Sequence, residues 1–134
     1  MNEMPQSIMP PGWAKPVGYA HGMVASGRVI TTAGQVGWNP ATSQFESEDF
    51  VEQTAQALRN IVAVVRAAGA EPGHIVRMTW YILDKEEYLR SRKALGAKYR
   101  DVMGSHFPSM TVVVVSGLLE PGARLEIEAT AVVP

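Results

Sequence analysis

Residues 125–132 alternate with period two, and this constrains the fold more than any other segment. Leu125, Ile127, Ala129 and Ala131 fall on one face of a strand. Glu126, Glu128, Thr130 and Val132 fall on the other. One face of the sheet therefore packs on a core while the other carries two carboxylates. The run Met110 to Val115 behaves differently. It holds four consecutive valines and no polar residue beyond Thr111, which predicts burial on both faces.

Two helices are predicted to supply the covering layer. Phe50, Thr54, Ala57, Leu58, Ile61, Val62 and Val65 recur at three and four residues. Asp49 and Glu52 have the spacing of a capping box, and Gly69 suits the left-handed turn that ends a helix. The second helix is expected from Asp84, with Glu87 at its capping position, to about Met103. His74 to Leu83, rich in β-branched and aromatic residues, reads as a strand between them. Ser26-Gly27, between Tyr19–Ser26 and Arg28–Thr32, reads as the turn of a hairpin. Gly34 to Ser47 reads as a loop, and residues 1–17, rich in proline, as an extended arm. The order β-β-α-β-α-β-β gives an α+β domain spanning 1–134, with two helices on one face of a mixed sheet. The other face wants a second subunit to cover it.

Bulk properties narrow the function. A length of 134 residues suits one domain. Twelve basic and 13 acidic residues give a net charge of −1, which argues against a nucleic-acid partner. With no cysteine, disulfides, thiol nucleophiles and thiolate metal sites are excluded. His21, His74 and His106 match no ligand spacing, so no metal site is expected. No apolar run has the length of a signal or a membrane span, and the expectation is a cytoplasmic protein.

Two places can carry chemistry. Glu126 and Glu128 point the same way, and paired carboxylates can supply a proton acceptor. The plain alternative is a solvated strand face. Arg92 interrupts the stripe Tyr88, Leu95 and Tyr99 on the second helix. It can await an anionic ligand, or its stem can pack while the guanidinium reaches water. Both alternatives stay open on these residues alone. The neighbouring Arg90, Lys93, Lys98 and Arg100 read as a solvated face balanced by Asp84, Glu86, Glu87 and Asp101.

Several segments resemble the RidA (YjgF, L-PSP endoribonuclease-like) family. Ile30-Thr31-Thr32-Ala33-Gly34-Gln35-Val36 is similar to its early strand and turn. Ala55-Gln56-Ala57-Leu58-Arg59-Asn60-Ile61 and Ala67-Ala68-Gly69 are similar to its first helix, and Phe107-Pro108 and Leu125-Glu126-Ile127-Glu128-Ala129 to its C-terminal signature. The likeness runs from Gly18 to Val133. It implies a chorismate-mutase-like fold and a homotrimer with a small-molecule site in each inter-subunit cleft. It also implies hydrolysis of enamine and imine acids to a keto acid and ammonia, without metal or organic cofactor.

By the same resemblance, Glu126 is the residue that positions or activates water. Tyr19 lines the cleft from a neighbouring subunit, and Gly34 is a backbone contact. Val112 stands where many members carry a cysteine whose amide helps hold the ligand carboxylate. The deaminating members place an arginine two residues after the motif proline; here that position is Met110. Ala33 replaces a common serine, and Arg92 a common asparagine. The expectation is therefore a hydrolase of a small imine or enamine, of the 2-imino or aminomuconate type. Arg92 is the candidate replacement for the lost charge. The alternative is a non-catalytic trimer that binds a metabolite or a partner protein; an endoribonuclease ranks last.

Overall fold

The computed structural model describes residues 3–134; Met1 and Asn2 of the expected arm lie outside the described residues. A small antiparallel sheet pairs β1 (Gln6–Ile8) with β2 (Gly22–Val24). The main sheet contains β3 (Arg28–Thr31), β4 (Gln35–Val36), β5 (Ile75–Ile82), β6 (Ser109–Val114) and β7 (Leu125–Val133). Its order is β3-β7-β5-β6, with β4 also on β7. The β5–β6 pair is parallel and the rest are antiparallel, so the sheet is mixed as expected.

Helix α1 (Phe50–Ala67) begins where the spacing predicts: Asp49 accepts a hydrogen bond from the Glu52 amide at 2.9 Å. Gly69 beyond its end has φ +86°, the left-handed conformation a helix stop needs. Leu58, Ile61 and Val65 are fully buried against Ile75, Met78, Ile82, Leu125 and Ile127 of the central strands. Two buried amides on α1 staple the loops. Asn60 donates to the carbonyls of Val36 and Trp38 at 3.1 and 3.0 Å. Gln53 donates to those of Ser47 and Gly122 and accepts from the Arg124 amide.

Four sequence expectations are corrected. Ser26-Gly27 does not close a hairpin: β2 turns back to the arm and β3 pairs with β7. The loop after Gly34 contains β4. The second helix is two, α2 (Lys85–Arg90) and α3 (Arg92–Met103), parted at Ser91, where ψ of 1° departs from the helical value. Its capping residue Asp84 is nonetheless as read, accepting from the Glu87 amide at 3.1 Å. Within the single chain the valine run is not buried on both faces. Strand β6 is an edge, paired along its length only with β5 apart from one bridge from Ala20 to Ser109, and leaves Val113 37% and Val114 53% exposed.

Candidate functional site

The sheet has two unlike faces. The face under the helices holds Met78, Trp80, Met110 and Val112, since Met78 pairs with Met110 and Trp80 with Val112 across β5 and β6. The open face holds Arg77, Thr79 and Tyr81 from β5 beside Glu126, Glu128 and Thr130 from β7. The six candidate residues divide between these faces.

Tyr19, Arg92, Met110 and Val112 meet in one open groove of about 790 Å³. Its floor is Trp80, Met110 and Val112. Helix α3 forms one wall through Arg92, Leu95, Gly96, Tyr99 and Arg100, residues that share a helix face at three- and four-residue spacing. The chain from Lys15 to Tyr19 forms another. Tyr99 stacks on Phe107 with ring centroids 5.1 Å apart and donates to the His106 carbonyl at 2.6 Å. Burial holds the Tyr99 phenol well above the ordinary tyrosine range, and burial raises that of Tyr88 too, partly offset by the Arg92 charge. Arg92 is exposed, and its Nε donates to the Leu89 carbonyl at 3.2 Å, which orients its stem along the helix. Met110 is half-buried and gives the floor a thioether in place of a charge.

Glu126 and Gly34 meet on the opposite face. Between β3 and β4 the ladder is broken, and Thr32 fills the break: its Oγ1 accepts from the Ala129 amide and donates to the Ala33 carbonyl. This brings Gly34 over β7. A Cβ on Gly34 would stand 2.7 Å from Glu126 Cδ, so the glutamate occupies space that only glycine leaves open. Glu126 is half-buried. The second carboxylate is engaged, since Tyr81 donates its phenol proton to Glu128. That hydrogen bond, with some desolvation, holds the Tyr81 phenol above its ordinary range. The two glutamates are therefore not equivalent: Glu128 is tied to a phenol and Glu126 is not.

Sequence reasoning missed Trp80, Tyr99, Phe107 and Arg100 as site residues. Tyr99 reads only as part of the apolar stripe of the second helix, Phe107 only as part of the C-terminal motif, and Arg100 as a solvated charge. The signal for Arg100 was its spacing of eight from Arg92. The histidines stay apart: His106 is bonded to the Ile75 carbonyl and His21 packs edge-on to Trp13 and Tyr19. Among the described residues no group of three or more His, Asp or Glu side chains is arranged to hold a metal ion. No helix there is long and apolar enough to cross a membrane.

A family model described as endoribonuclease L-PSP matches residues 13–133. The chain is 34% identical over 109 residues to 2-iminobutanoate/2-iminopropanoate deaminase of Escherichia coli K12, covering 79% of this chain and 80% of that one. A solved structure of the Rid family protein YyfB from Yersinia pestis superposes with a TM-score of 0.84 at 30% identity, covering 98% of this chain and all of that one. The structure of E. coli TdcF with bound serine gives 0.68 at 31% identity, over 96% and 99% of the two chains.

Proposed function

Because the chain belongs to the endoribonuclease L-PSP family, whose members include the Rid proteins, we propose that it hydrolyses the C=N bond of an imine or enamine acid and releases ammonia. The carrying observation is Glu126, a carboxylate without a hydrogen-bonded partner among the described residues, seated against Gly34 beside the phenol-bound Glu128. Named deaminase relatives at 30–34% identity support the same reaction class.

The chemistry asks little of the protein. An enamine acid tautomerises to the imine, whose carbon is electrophilic. Glu126 accepts a proton from water as the oxygen bonds to that carbon, giving a carbinolamine. That proton passes to nitrogen, the carbinolamine's hydroxyl proton is taken up by Glu126 as the C=O forms and the C–N bond breaks, and a 2-oxo acid and ammonia leave. Orientation of water and substrate supplies most of the gain. No metal or organic cofactor takes part in these steps.

Within one chain, Glu126 and the groove lie on opposite faces of the sheet. We therefore place the working site between subunits, with the groove of one against the open face of the next. The open face of polar side chains and the exposed valine edge of β6 support that packing. A cytoplasmic homotrimer is the assembly this reading carries. Arg92 takes the substrate carboxylate in place of the arginine that Met110 replaces, while Tyr19, Gly34 and the Val112 amide complete the contacts. Ammonia release from a panel of imino acids and aminomuconate, run beside Glu126→Gln, tests the reading; equal rates in the two proteins would overturn it.

One observation favours a second reading. Met110 removes a charge from the groove floor, which suits a trimer that holds a metabolite without turning it over. That protein would bind the imino or oxo acid with Glu126→Gln as tightly as without it, and release no ammonia in either form.

A further inference from the structure

The groove is lined by three cations and no acid. Lys15, Arg92 and Arg100 stand around it, and neither Asp nor Glu is among its lining residues. The ion pairs of the described residues are Arg66–Glu71, Lys98–Glu52 and Arg124–Glu87, so none uses these three cations. Arg92 and Arg100 are two turns apart on one face of α3, and Gly96 lies between them. The Arg100 guanidinium folds back over that glycine: Nη1 lies 3.4 Å from where a Gly96 Cβ would be. Absence of a side chain at 96 thus lets Arg100 lie along the groove wall instead of standing out from the helix.

Between the cations the lining is aromatic and apolar. Tyr19, Tyr88, Tyr99, Phe107 and Trp80 face a space that lies high in the roughly 300–1,000 Å³ range of sites for drug-sized molecules. A three-carbon imino acid would fill a small part of the groove as one subunit presents it. Trp80 is 4% exposed, and its indole N–H is the one buried side-chain donor among the described residues that lacks an acceptor. A buried donor left unpaired is costly, and a small shift that opened it to the groove would offer a ligand oxygen or nitrogen a hydrogen bond.

We propose that the groove takes a 2-oxo or 2-imino acid with an aromatic side chain, its carboxylate held by Arg92 and Arg100 across Gly96. The choice of a 2-imino acid rests on the deaminase reading above; the aromatic body and the role of Arg100 go beyond it. The ring lies among the groove aromatics, with edge or offset contacts of the kind such rings prefer. The oxo or imino group brings its heteroatom toward the floor. An anion is favoured because the subunit's own groove lining holds no carboxylate to compete for the guanidinium groups.

The test is calorimetric titration of the full-length protein with phenylpyruvate, pyruvate and the neutral benzyl methyl ketone. Phenylpyruvate is expected to bind about 30-fold more tightly than pyruvate, from burial of the ring. Arg100→Ala is expected to weaken phenylpyruvate about 10-fold and leave the neutral ketone unchanged, as for loss of a charge-assisted bond. Arg100→Lys should recover part of that loss. Gly96→Leu keeps a good helix former yet fills the guanidinium's place, and should reproduce the Arg100→Ala loss. Equal affinity for phenylpyruvate and pyruvate overturns the proposal, as does an Arg100→Ala loss that is the same for acid and ketone. Ammonia release is followed separately. Tight phenylpyruvate binding without any release removes the deaminase reading and leaves this site standing. Release from 2-iminopropanoate that phenylpyruvate does not inhibit overturns the site and leaves the deaminase.

Discussion

Glu126 lies across the bare Cα of Gly34, its Cδ 2.7 Å from where a β-carbon would be. The contact couples the backbone to the proposed proton acceptor. Gly34→Ala would push the carboxylate from its place while leaving the helices and core untouched. The expected result is about a 100-fold loss of ammonia release with an unchanged circular dichroism spectrum, since a displacement near 1 Å costs about that much. Retained activity would mean that the position of Glu126 does not matter.

The two glutamates should separate under amide substitution. Glu126→Gln is expected to lower turnover by about 100- to 10,000-fold, the usual range for a lost general base. Glu128→Gln keeps an oxygen that can accept from Tyr81 and should cost less than 10-fold. Steady-state ammonia assays on both variants check the order, and a larger effect at Glu128 would reverse the assignment.

Subunit mixing tests where the site is assembled. If Glu126 of one subunit serves the groove of another, then unfolding and refolding Glu126→Gln together with Arg92→Ala should produce trimers with some intact sites. Neither variant alone should show that activity. Light scattering on the same samples gives the assembly size, and no recovery in a confirmed trimer would place both residues in one subunit's site.

Gln53 joins three backbone groups from two distant loops to α1. Gln53→Ala strands the Ser47 and Gly122 carbonyls and the Arg124 amide in a buried region. Unpaired buried polar groups cost about 1–3 kcal/mol each, partly relieved by water, so a loss of roughly 2–4 kcal/mol is expected. Urea unfolding measures it.

Alkaline pH should expose the buried phenol. Tyr99 holds its proton more tightly folded than unfolded. The unfolded tyrosine ionises near pH 10, at about the free value. Below that pH its contribution to stability is complete; above it the unfolded chain sheds a proton the folded chain keeps, so stability falls as pH rises. Tyr99→Phe should flatten this decline between about pH 10 and 12 in urea titrations. An identical slope in the two proteins would mean that Tyr99 ionises freely in the fold.

Local periodicity made much of the fold legible. Helix α1 follows directly from its apolar spacing and Asp49, and β7 from its alternation. The α+β class and the segregation of helices to one face follow from the order of those elements. Partner choice did not show in the chain: nothing in Gly22–Val24 says that it pairs with Gln6–Ile8 and not with β3. The break at Ser91 was hidden because serine is an ordinary helix residue, without the signature of glycine or proline. The glutamate face was readable from period two alone. The groove as a whole was not, because apart from Tyr19 its aromatics come from β5, α2, α3 and the segment before β6, and no local pattern joins them.

The unpaired edge of β6 links solubility to association. An isolated chain would show solvent a row of open backbone donors and acceptors flanked by Val113 and Val114, the template on which strands of other molecules add. If the chain assembles as proposed, substitutions that weaken assembly should therefore deplete soluble protein before any monomer accumulates. Apparent stability should rise with protein concentration, as it does when folding and association are one equilibrium.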